Sequence, residues 1–199
     1  MMIVDLLRHG ELEGGVKYRG QIDDPLTPAG RAAMDAVWEK VSSKVDVIVS
    51  SPLSRCAAPA REWAGGAGIN CVIDDRVMEI RYGAWEGKTS EEIRDEFPGV
   101  LEQWRQDPTG MRPPEGESPE ELLDRLSSWW QELVKDFEGR HVLVVAHSGS
   151  LRMLLAHVIG APVAACRKFD MPYACWSRFA VEKGQAVLAF HQREACWPE

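Results

Sequence analysis

Three short apolar segments constrain the fold of this 199-residue chain more than any other feature of its sequence. Residues 2–7, 45–50 and 141–146 are rich in Val, Ile and Leu and contain few polar side chains. Such runs are typical of strands that helices cover on both faces, as in a parallel sheet. Residues 71–74 form a weaker fourth candidate. The sequence therefore predicts strands that are buried inside the molecule rather than exposed on one side.

Helices are predicted between these strands, and a hairpin is predicted near the end of the chain. Three pairs of residues mark helix starts: Thr27 with Pro28, Thr89 with Glu92, and Ser118 with Glu121. Behind the third pair, an apolar stripe at helical spacing includes Trp129 and Trp130, which we interpret as core residues. Residues 178–181 and 186–190 flank a turn at Gly184 and predict the hairpin.

The alternation of strands and helices predicts one α/β domain over residues 1–199. We expect a three-layer α/β/α sandwich with a mostly parallel central sheet. Hydrophobic residues make up 45% and charged residues 27% of the chain, which excludes a disordered or collagen-like protein. The formal net charge of −8 argues against nucleic acid or an anionic membrane as the main partner. A small phosphorylated substrate needs only a local basic pocket and stays compatible with this charge.

The cysteines and the first residues of the chain indicate a reducing compartment. Five cysteines are present, no two of which stand in a C-x-x-C pair: Cys56, Cys71, Cys166, Cys175 and Cys196. This pattern fits neither a disulfide framework nor a zinc motif. Asp5 and Arg8 interrupt the first apolar run, so no signal peptide is predicted, and the stretch at residues 153–166 is too short to span a membrane. We expect a cytoplasmic protein.

Charged and nucleophilic residues directly follow three of the predicted strands. They are Arg8 and His9 after the first strand, Arg55 after the second, and His147 with Ser148 after residues 141–146. Ligands of parallel sheets bind outside the carboxyl ends of the strands, where these side chains would converge. A single histidine at a strand end is more often structural, but two arginines in the same group indicate an oxyanion, of which phosphate is the commonest. Gly10 and Gly149 would allow the backbone to approach that anion closely.

Five sequence blocks occur in a characteristic order along the chain. They are LRHGE at residues 7–11, DPLTPAG at 24–30, SSPLSR at 50–55, MEIRYGAWEG at 78–87 and AHSG at 146–149. Together they resemble the histidine phosphatase (phosphoglycerate mutase-like) superfamily, and the resemblance covers residues 2–160. Three softer motifs are most similar to the α-ribazole phosphatases of cobalamin assembly: Tyr18-Arg19-Gly20, Arg55-Cys56 and PPEGE at residues 113–117.

The resemblance implies a metal-independent phosphomonoesterase that uses no cofactor and acts through a phosphohistidine. His9 would attack phosphorus, and a neutral imidazole suits this step because its unperturbed pKa is about 6.5. Arg8, Arg55 and His147 would hold the phosphoryl oxygens and neutralise the charge that develops on them. Glu79 would protonate the leaving group and then activate water, although composition alone favours a surface role for a carboxylate in an acidic protein.

Further roles are implied around this centre. Gln21, in a loop expected to close over the phosphate, and Ser148 would bind substrate. Glu117 would support a nearby arginine or only favour a helix start. Two arginines would contact the rest of the substrate or remain solvated: Arg19 and Arg81. Two histidines outside the blocks are expected to be structural: His141 and His157.

Two departures from the family pattern affect the expected pocket lining. Leu12 stands where the family commonly has Thr, and Pro59 replaces Thr in the helix after the third block. The chain has only the short loop at residues 107–116 where mutases carry an insertion, so hydrolysis is favoured over mutase action. Two alternatives stay open: a phosphatase of another small metabolite (a sugar phosphate, phosphoserine or a nucleotide), and a phosphate-binding regulatory module without turnover. A homodimer also stays open.

Overall fold

The computed structural model of the chain describes residues 1–193, so Cys196 lies outside the described residues. Within this range one sheet contains β1 (Met2–Arg8), β2 (Val47–Ser50), β3 (Asn70–Ile73), β4 (His141–Ala146), β5 (Trp176–Glu182) and β6 (Gln185–Arg193). The strand order is β3-β2-β4-β1-β5-β6. The pairs β3–β2, β2–β4 and β4–β1 are parallel, whereas β1–β5 and β5–β6 are antiparallel. The prediction of a mostly parallel sheet is confirmed.

Helices cover this sheet, and their predicted starts are confirmed. They are α1 (Pro28–Val41), α2 (Ser54–Ala67), α3 (Ser90–Glu96), α4 (Val100–Gln106), α5 (Pro119–Asp136) and α6 (Ser148–Val158). Short 3-10 helices span Asp75–Val77, Gly83–Trp85 and Val163–Lys168. Thr27 accepts a hydrogen bond from the N–H of Gly30, and both capping boxes form at α3 and α5. Among the helices of residues 1–193, none is long and apolar enough to cross a bilayer.

Alternate residues of the sheet face two separate hydrophobic cores. In β4, Val142 and Val144 belong to the core beneath α5 and α6, whereas Leu143 and Val145 belong to the core beneath α1 and α2. All four side chains are fully buried. This is the burial expected of strands that helices cover on both faces, and the predicted three-layer sandwich is confirmed.

Some element bounds differ from the prediction for local reasons. β2 begins at Val47 rather than at residue 45, because the side-chain carboxylate of Asp46, in place of its backbone, accepts a hydrogen bond from the N–H of His141. The hairpin turn is only two residues long, Lys183 and Gly184, both with positive φ as such a turn requires. The two tryptophans of α5 are core residues, as predicted: Trp129 and Trp130 are 2% and 8% exposed.

A buried ionic network is centred on Asp5 in the middle of β1. Asp5 is fully buried and accepts hydrogen bonds from Trp176 at 2.8 Å and from Arg178 at 2.8 and 2.9 Å. Nε2 of His141 lies 2.6 Å from Oδ2 of Asp5. Burial alone would raise the pKa of Asp5, but these bonds outweigh it and hold that pKa below its usual value. His141 therefore has a structural role, as the sequence indicates.

Candidate active site

Five of the residues predicted for the site line one cavity of about 340 Å³ at the carboxyl ends of the parallel strands: Arg8, His9, Arg55, Glu79 and Ser148. His9 follows β1, Arg55 is the second residue of α2, and Ser148 is the first residue of α6. The predicted convergence of strand ends thus brings Arg8, His9, Arg55 and Ser148 together, and Glu79 joins them from the segment between two 3-10 helices. His147 and Gln21 contact members of the group without lining the cavity.

His9 is held in one tautomer by the backbone. Its Nδ1 lies 2.8 Å from the carbonyl oxygen of Gly10, which can only accept, so Nδ1 carries the proton. Nε2 keeps its lone pair. Burial, followed by the positive charges of Arg8 and Arg55, holds the pKa of His9 well below 6.5. His9 is therefore a neutral imidazole with a free nitrogen at the cavity.

We expect this protonation state to persist in mildly acidic solution. Because the pKa of His9 is depressed, lowering the pH through 6.5 should leave the ring neutral, and protonation should follow only at lower pH. The ¹⁵N chemical shifts of the His9 ring in the free protein, assigned with His9→Gln, measure both the tautomer and the midpoint. A midpoint at or above the ordinary histidine value would contradict the prediction.

Arg55 is a fixed cation at the start of α2. Its side chain is 1% exposed and donates from Nη1 to the carbonyl of Ile22 at 2.6 Å and from Nη2 to that of Gly20 at 2.9 Å. Its Nε donates to Nδ1 of His147 at 3.2 Å. These neutral acceptors orient the guanidinium, while the nearest carboxylate, Asp23, is 3.8 Å away. The charge of Arg55 is thus held in place and only weakly compensated.

Arg8, the last residue of β1 and the residue before His9, is less fully bonded. Its Nη1 donates to the carbonyl of Met171, and its guanidinium lies 4.1 Å from the centre of the Tyr173 ring. Its Nε is buried without a partner. A buried donor without an acceptor is costly, so Arg8 has capacity to bind an anion that enters the cavity.

His147 occupies a deeper position than the sequence suggests. It is fully buried, and since Nδ1 accepts from Arg55, Nε2 is the nitrogen that donates to Ser51 Oγ at 2.7 Å. Burial and then the charge of Arg55 hold the pKa of His147 well below 6.5. Both nitrogens are therefore engaged in orienting Arg55. Direct contact of His147 with a phosphoryl group stays a prediction.

Glu79 is bound at the N-terminus of α6. Oε2 accepts from the N–H of Gly149 at 3.0 Å and from Ser148 Oγ at 3.4 Å, and Oε1 accepts from the N–H of Ser150 and Ile80, each at 3.0 Å. A helix N-terminus favours a negative group at this position. Glu79 is 6% exposed and lines the cavity, so it is not the surface carboxylate that composition alone favours.

The two glycines beside the site leave no room for a side chain. A Cβ at Gly10 would collide with the carbonyl of Gly30 in α1, and a Cβ at Gly149 would overlap Oε1 of Glu79. The N–H of Gly149 already donates to Glu79. The prediction that the backbone of Gly149 binds the anion is therefore wrong, because a protein carboxylate occupies that position.

Hydrogen bonds hold the segment after β1 in place beside the rest of the site. Arg19 donates to Asp24 at 2.8 Å and to the carbonyl of Glu13 at 2.6 Å, so most of its donors stabilise the loop. Gln21 donates from its amide to the backbone carbonyl of Glu79 at 2.9 Å. Contact of Gln21 with substrate stays a prediction.

Hydrogen bonds from α5 also hold the backbone at Glu79. Glu117 pairs with Arg125 at 2.6 and 3.0 Å, and Arg125 donates to the backbone carbonyls of Met78 and Glu79. Glu117 therefore supports a nearby arginine, one of its two predicted roles. Arg81 is exposed and is not among the residues that line the cavity.

Sequence reasoning missed several residues of the cavity wall. They are Tyr18, Arg105, Arg152, Arg167 and Tyr173. Arg152 could have been found, because it lies four residues after Ser148 and so shares its face of α6. The others lie in segments whose apolar pattern does not fix the direction of a polar side chain.

Comparison with known proteins gives this arrangement a family. The family model of the histidine phosphatase superfamily (branch 1) matches residues 4–193. The chain belongs to the histidine phosphatase superfamily. The match also confirms the prediction that the chain is a phosphoric monoester hydrolase of the histidine phosphatase type.

Individual members of the superfamily cover nearly the whole chain. Phosphoserine phosphatase 1 of Hydrogenobacter thermophilus is 27% identical over 94% of this chain and 90% of its own length. A mycobacterial glucosyl-3-phosphoglycerate phosphatase is 28% identical with a TM-score of 0.86, over 94% of this chain and 97% of the other. A structure from Escherichia coli, provisionally assigned as an α-ribazole 5′-phosphate phosphatase, is 25% identical with a TM-score of 0.84, over 100% and 99%.

Proposed function

We propose that this histidine phosphatase is a metal-independent phosphomonoesterase of small phosphorylated metabolites and forms a phosphohistidine at His9. One observation carries the proposal. His9 presents a neutral ring with its proton on Nδ1 and its lone pair on Nε2, beside two arginines, Arg8 and Arg55, that make no close pair with a carboxylate. A nucleophile and two cations around one cavity are the elements that phosphoryl transfer requires.

The reaction follows in two balanced steps. Nε2 of His9 forms a bond to phosphorus while the ester P–O bond breaks, and the leaving oxygen takes the proton of Glu79, which enters this step in its protonated form. In the second step water gives a proton to Glu79 and forms a bond to phosphorus, and the P–N bond breaks to release phosphate and neutral His9. Arg8 and Arg55 stabilise the charge on the phosphoryl oxygens in both steps.

The identity of the substrate rests on two separate observations. The motifs at residues 18–20, 55–56 and 113–117 favour α-ribazole 5′-phosphate, which would place the enzyme in cytoplasmic cobalamin assembly. The likeness to the Escherichia coli structure supports this choice. Phosphate esters that carry a carboxylate are the second candidate, supported by the likeness to phosphoserine and glucosyl-3-phosphoglycerate phosphatases and by the charge of the cavity.

Turnover of a chromogenic ester tests the proposal directly. The full chain should release inorganic phosphate from p-nitrophenyl phosphate, and a panel of α-ribazole 5′-phosphate, phosphoserine, sugar phosphates and nucleotides ranks the natural candidates by kcat/KM. Binding of phosphate without any turnover would instead support the alternative of a regulatory module.

Activity should survive removal of metal ions. The arginines of the cavity already supply positive charge, and within residues 1–193 no group of three His, Cys, Asp or Glu side chains is placed to hold a metal ion. Rates should be unchanged after prolonged dialysis against EDTA and passage over a chelating resin. Loss of activity that Mg²⁺ or Zn²⁺ specifically restores would contradict this prediction.

A further inference from the structure

The cavity contains more positive charge than the phosphoryl site uses. Beyond Arg8 and Arg55, its wall includes Arg105, Arg152 and Arg167, in a chain whose formal net charge is −8. None of these three arginines makes an ion pair in the described part of the chain. Arg61 and Arg81, which also make no ion pair there, are exposed to solvent. Arg105 is exposed as well, whereas Arg8, Arg152 and Arg167 are partly buried, so three partly buried arginines without an ion pair line this one cavity.

Two of these arginines have unused donors in a half-buried setting. The Nε atoms of Arg152 and Arg167 are buried without any hydrogen-bond partner, as is that of Arg8. Across residues 1–193, the remaining buried side-chain donor without a partner is the indole N–H of Trp85. Leaving a charged donor without an acceptor is costly, so this arrangement indicates a ligand that supplies oxygen atoms.

We propose that Arg152 and Arg167 form a second anion-binding subsite for a carboxylate or second phosphate on the same substrate molecule. Arg105 borders this subsite, and its partners are neutral: Tyr18 Oη at 3.1 Å and Ser90 Oγ at 2.6 Å. The inference rests on the proposed phosphatase function and narrows its substrate to phosphate monoesters that carry another negative group.

The position of Arg152 on α6 places the proposed subsite near the reaction centre. Ser148, next to Glu79 in the reaction centre, and Arg152 lie about one turn apart on the same face of α6, about 6 Å along its axis. Arg8 and Arg152 line the same cavity. The cavity of about 340 Å³ suits a small ester whose two anionic groups are a few carbon atoms apart.

This subsite favours one candidate substrate class over the other. Phosphoserine and phosphoglycerate derivatives carry a carboxylate within three carbon atoms of the phosphate. α-Ribazole 5′-phosphate has no second anionic group and would leave Arg152 and Arg167 without acceptors. The subsite thus favours the carboxylate-bearing esters, against the preference that the sequence motifs indicate.

Matched substrate pairs test the subsite in the full-length enzyme. O-phosphoserine against phosphoethanolamine, and 3-phosphoglycerate against glycerol 3-phosphate, differ by a carboxylate, whereas fructose 1,6-bisphosphate against fructose 6-phosphate differs by a phosphate. We expect kcat/KM to favour the more anionic member of at least one pair by about 10- to 100-fold, as hydrogen bonds between charged groups typically do. The favoured pair identifies the second anion as carboxylate or phosphate.

Substitution of the two arginines then shows whether their side chains cause the preference for the more anionic substrate. Arg152→Met and Arg167→Met should each lower the ratio of the two kcat/KM values, and the double variant should bring it close to 1. Arg61→Met, on the exposed side of α2, is the matched control and should leave the ratio unchanged. A wild-type ratio near 1 in all three pairs, or an unchanged ratio in the double variant, overturns the subsite.

A binding measurement separates failure of the subsite from failure of the phosphatase proposal. Calorimetry with His9→Ala compares the affinity of phosphoserine with that of phosphoethanolamine when turnover is removed. Tighter binding of phosphoserine that depends on Arg152 and Arg167 supports the subsite even if wild-type turnover is absent. Turnover of p-nitrophenyl phosphate without that difference in affinity supports the phosphatase and overturns the subsite.

Discussion

His9→Ala is expected to lower kcat for p-nitrophenyl phosphate by at least about 10³-fold, because the substitution removes the nitrogen that attacks phosphorus. The alanine also removes the hydrogen bond from Nδ1 to the carbonyl of Gly10. His9 lies after β1 rather than within it, so the fold should be retained, which circular dichroism and the thermal midpoint check. A second variant, His9→Gln, keeps side-chain volume and should be equally inactive.

Covalent labelling shows whether His9 is the nucleophile or only assists water. Brief reaction with a ³²P-labelled ester, quenched in base, should leave a phosphoryl group that is stable to base and labile to acid, as a phosphohistidine is. The label should be absent from His9→Ala and present in His157→Gln, since His157 lies in α6 away from the cavity wall. A label that persists in His9→Ala would assign the nucleophile to another residue.

The phosphoryl-binding half of the site could be predicted because it depends on local pattern. Arg8 and His9 directly follow the apolar run of β1, and the carboxyl ends of parallel strands must share one edge. This prediction did not require knowing which distant segments of the chain pack against each other. Glu79 depended on the family resemblance alone, since composition assigned it to the surface.

The remaining contacts depend on the directions in which individual side chains point, which the sequence pattern does not encode. Ser51 is one serine among several after β2, and only the structure shows that it engages Nε2 of His147 and so turns that ring toward Arg55. Arg167 lies in a 3-10 helix whose sequence is compatible with either a solvated or a buried arginine. The second anion subsite is therefore a result of tertiary packing, not of a motif.

Glu79→Gln is expected to slow the first half-reaction far more for alkyl phosphates than for p-nitrophenyl phosphate. An alkoxide leaves only with a proton, and positioned acid catalysis typically contributes about 10²- to 10⁴-fold, whereas a nitrophenolate leaves with little help. Single-turnover measurement of phosphoenzyme formation isolates this step from the hydrolysis of the intermediate, which the same substitution should also slow.

The comparison of two leaving groups also distinguishes loss of acid catalysis by Glu79 from loss of its hydrogen bonds at the start of α6. In Glu79→Gln the new amide group would face the N–H of Gly149 or of Ser150, so part of the hydrogen bonding at the start of α6 is lost whatever the role of the residue. Such a structural loss would slow both substrates alike, while loss of an acid slows only the poor leaving group. Asp75→Asn, at an exposed carboxylate in the same segment, is the matched control and should change neither rate. Equal slowing of both substrates by Glu79→Gln would remove Glu79 as the acid, and Glu86, whose carboxylate accepts from the N–H of Gln21 and Tyr82, would become the next candidate.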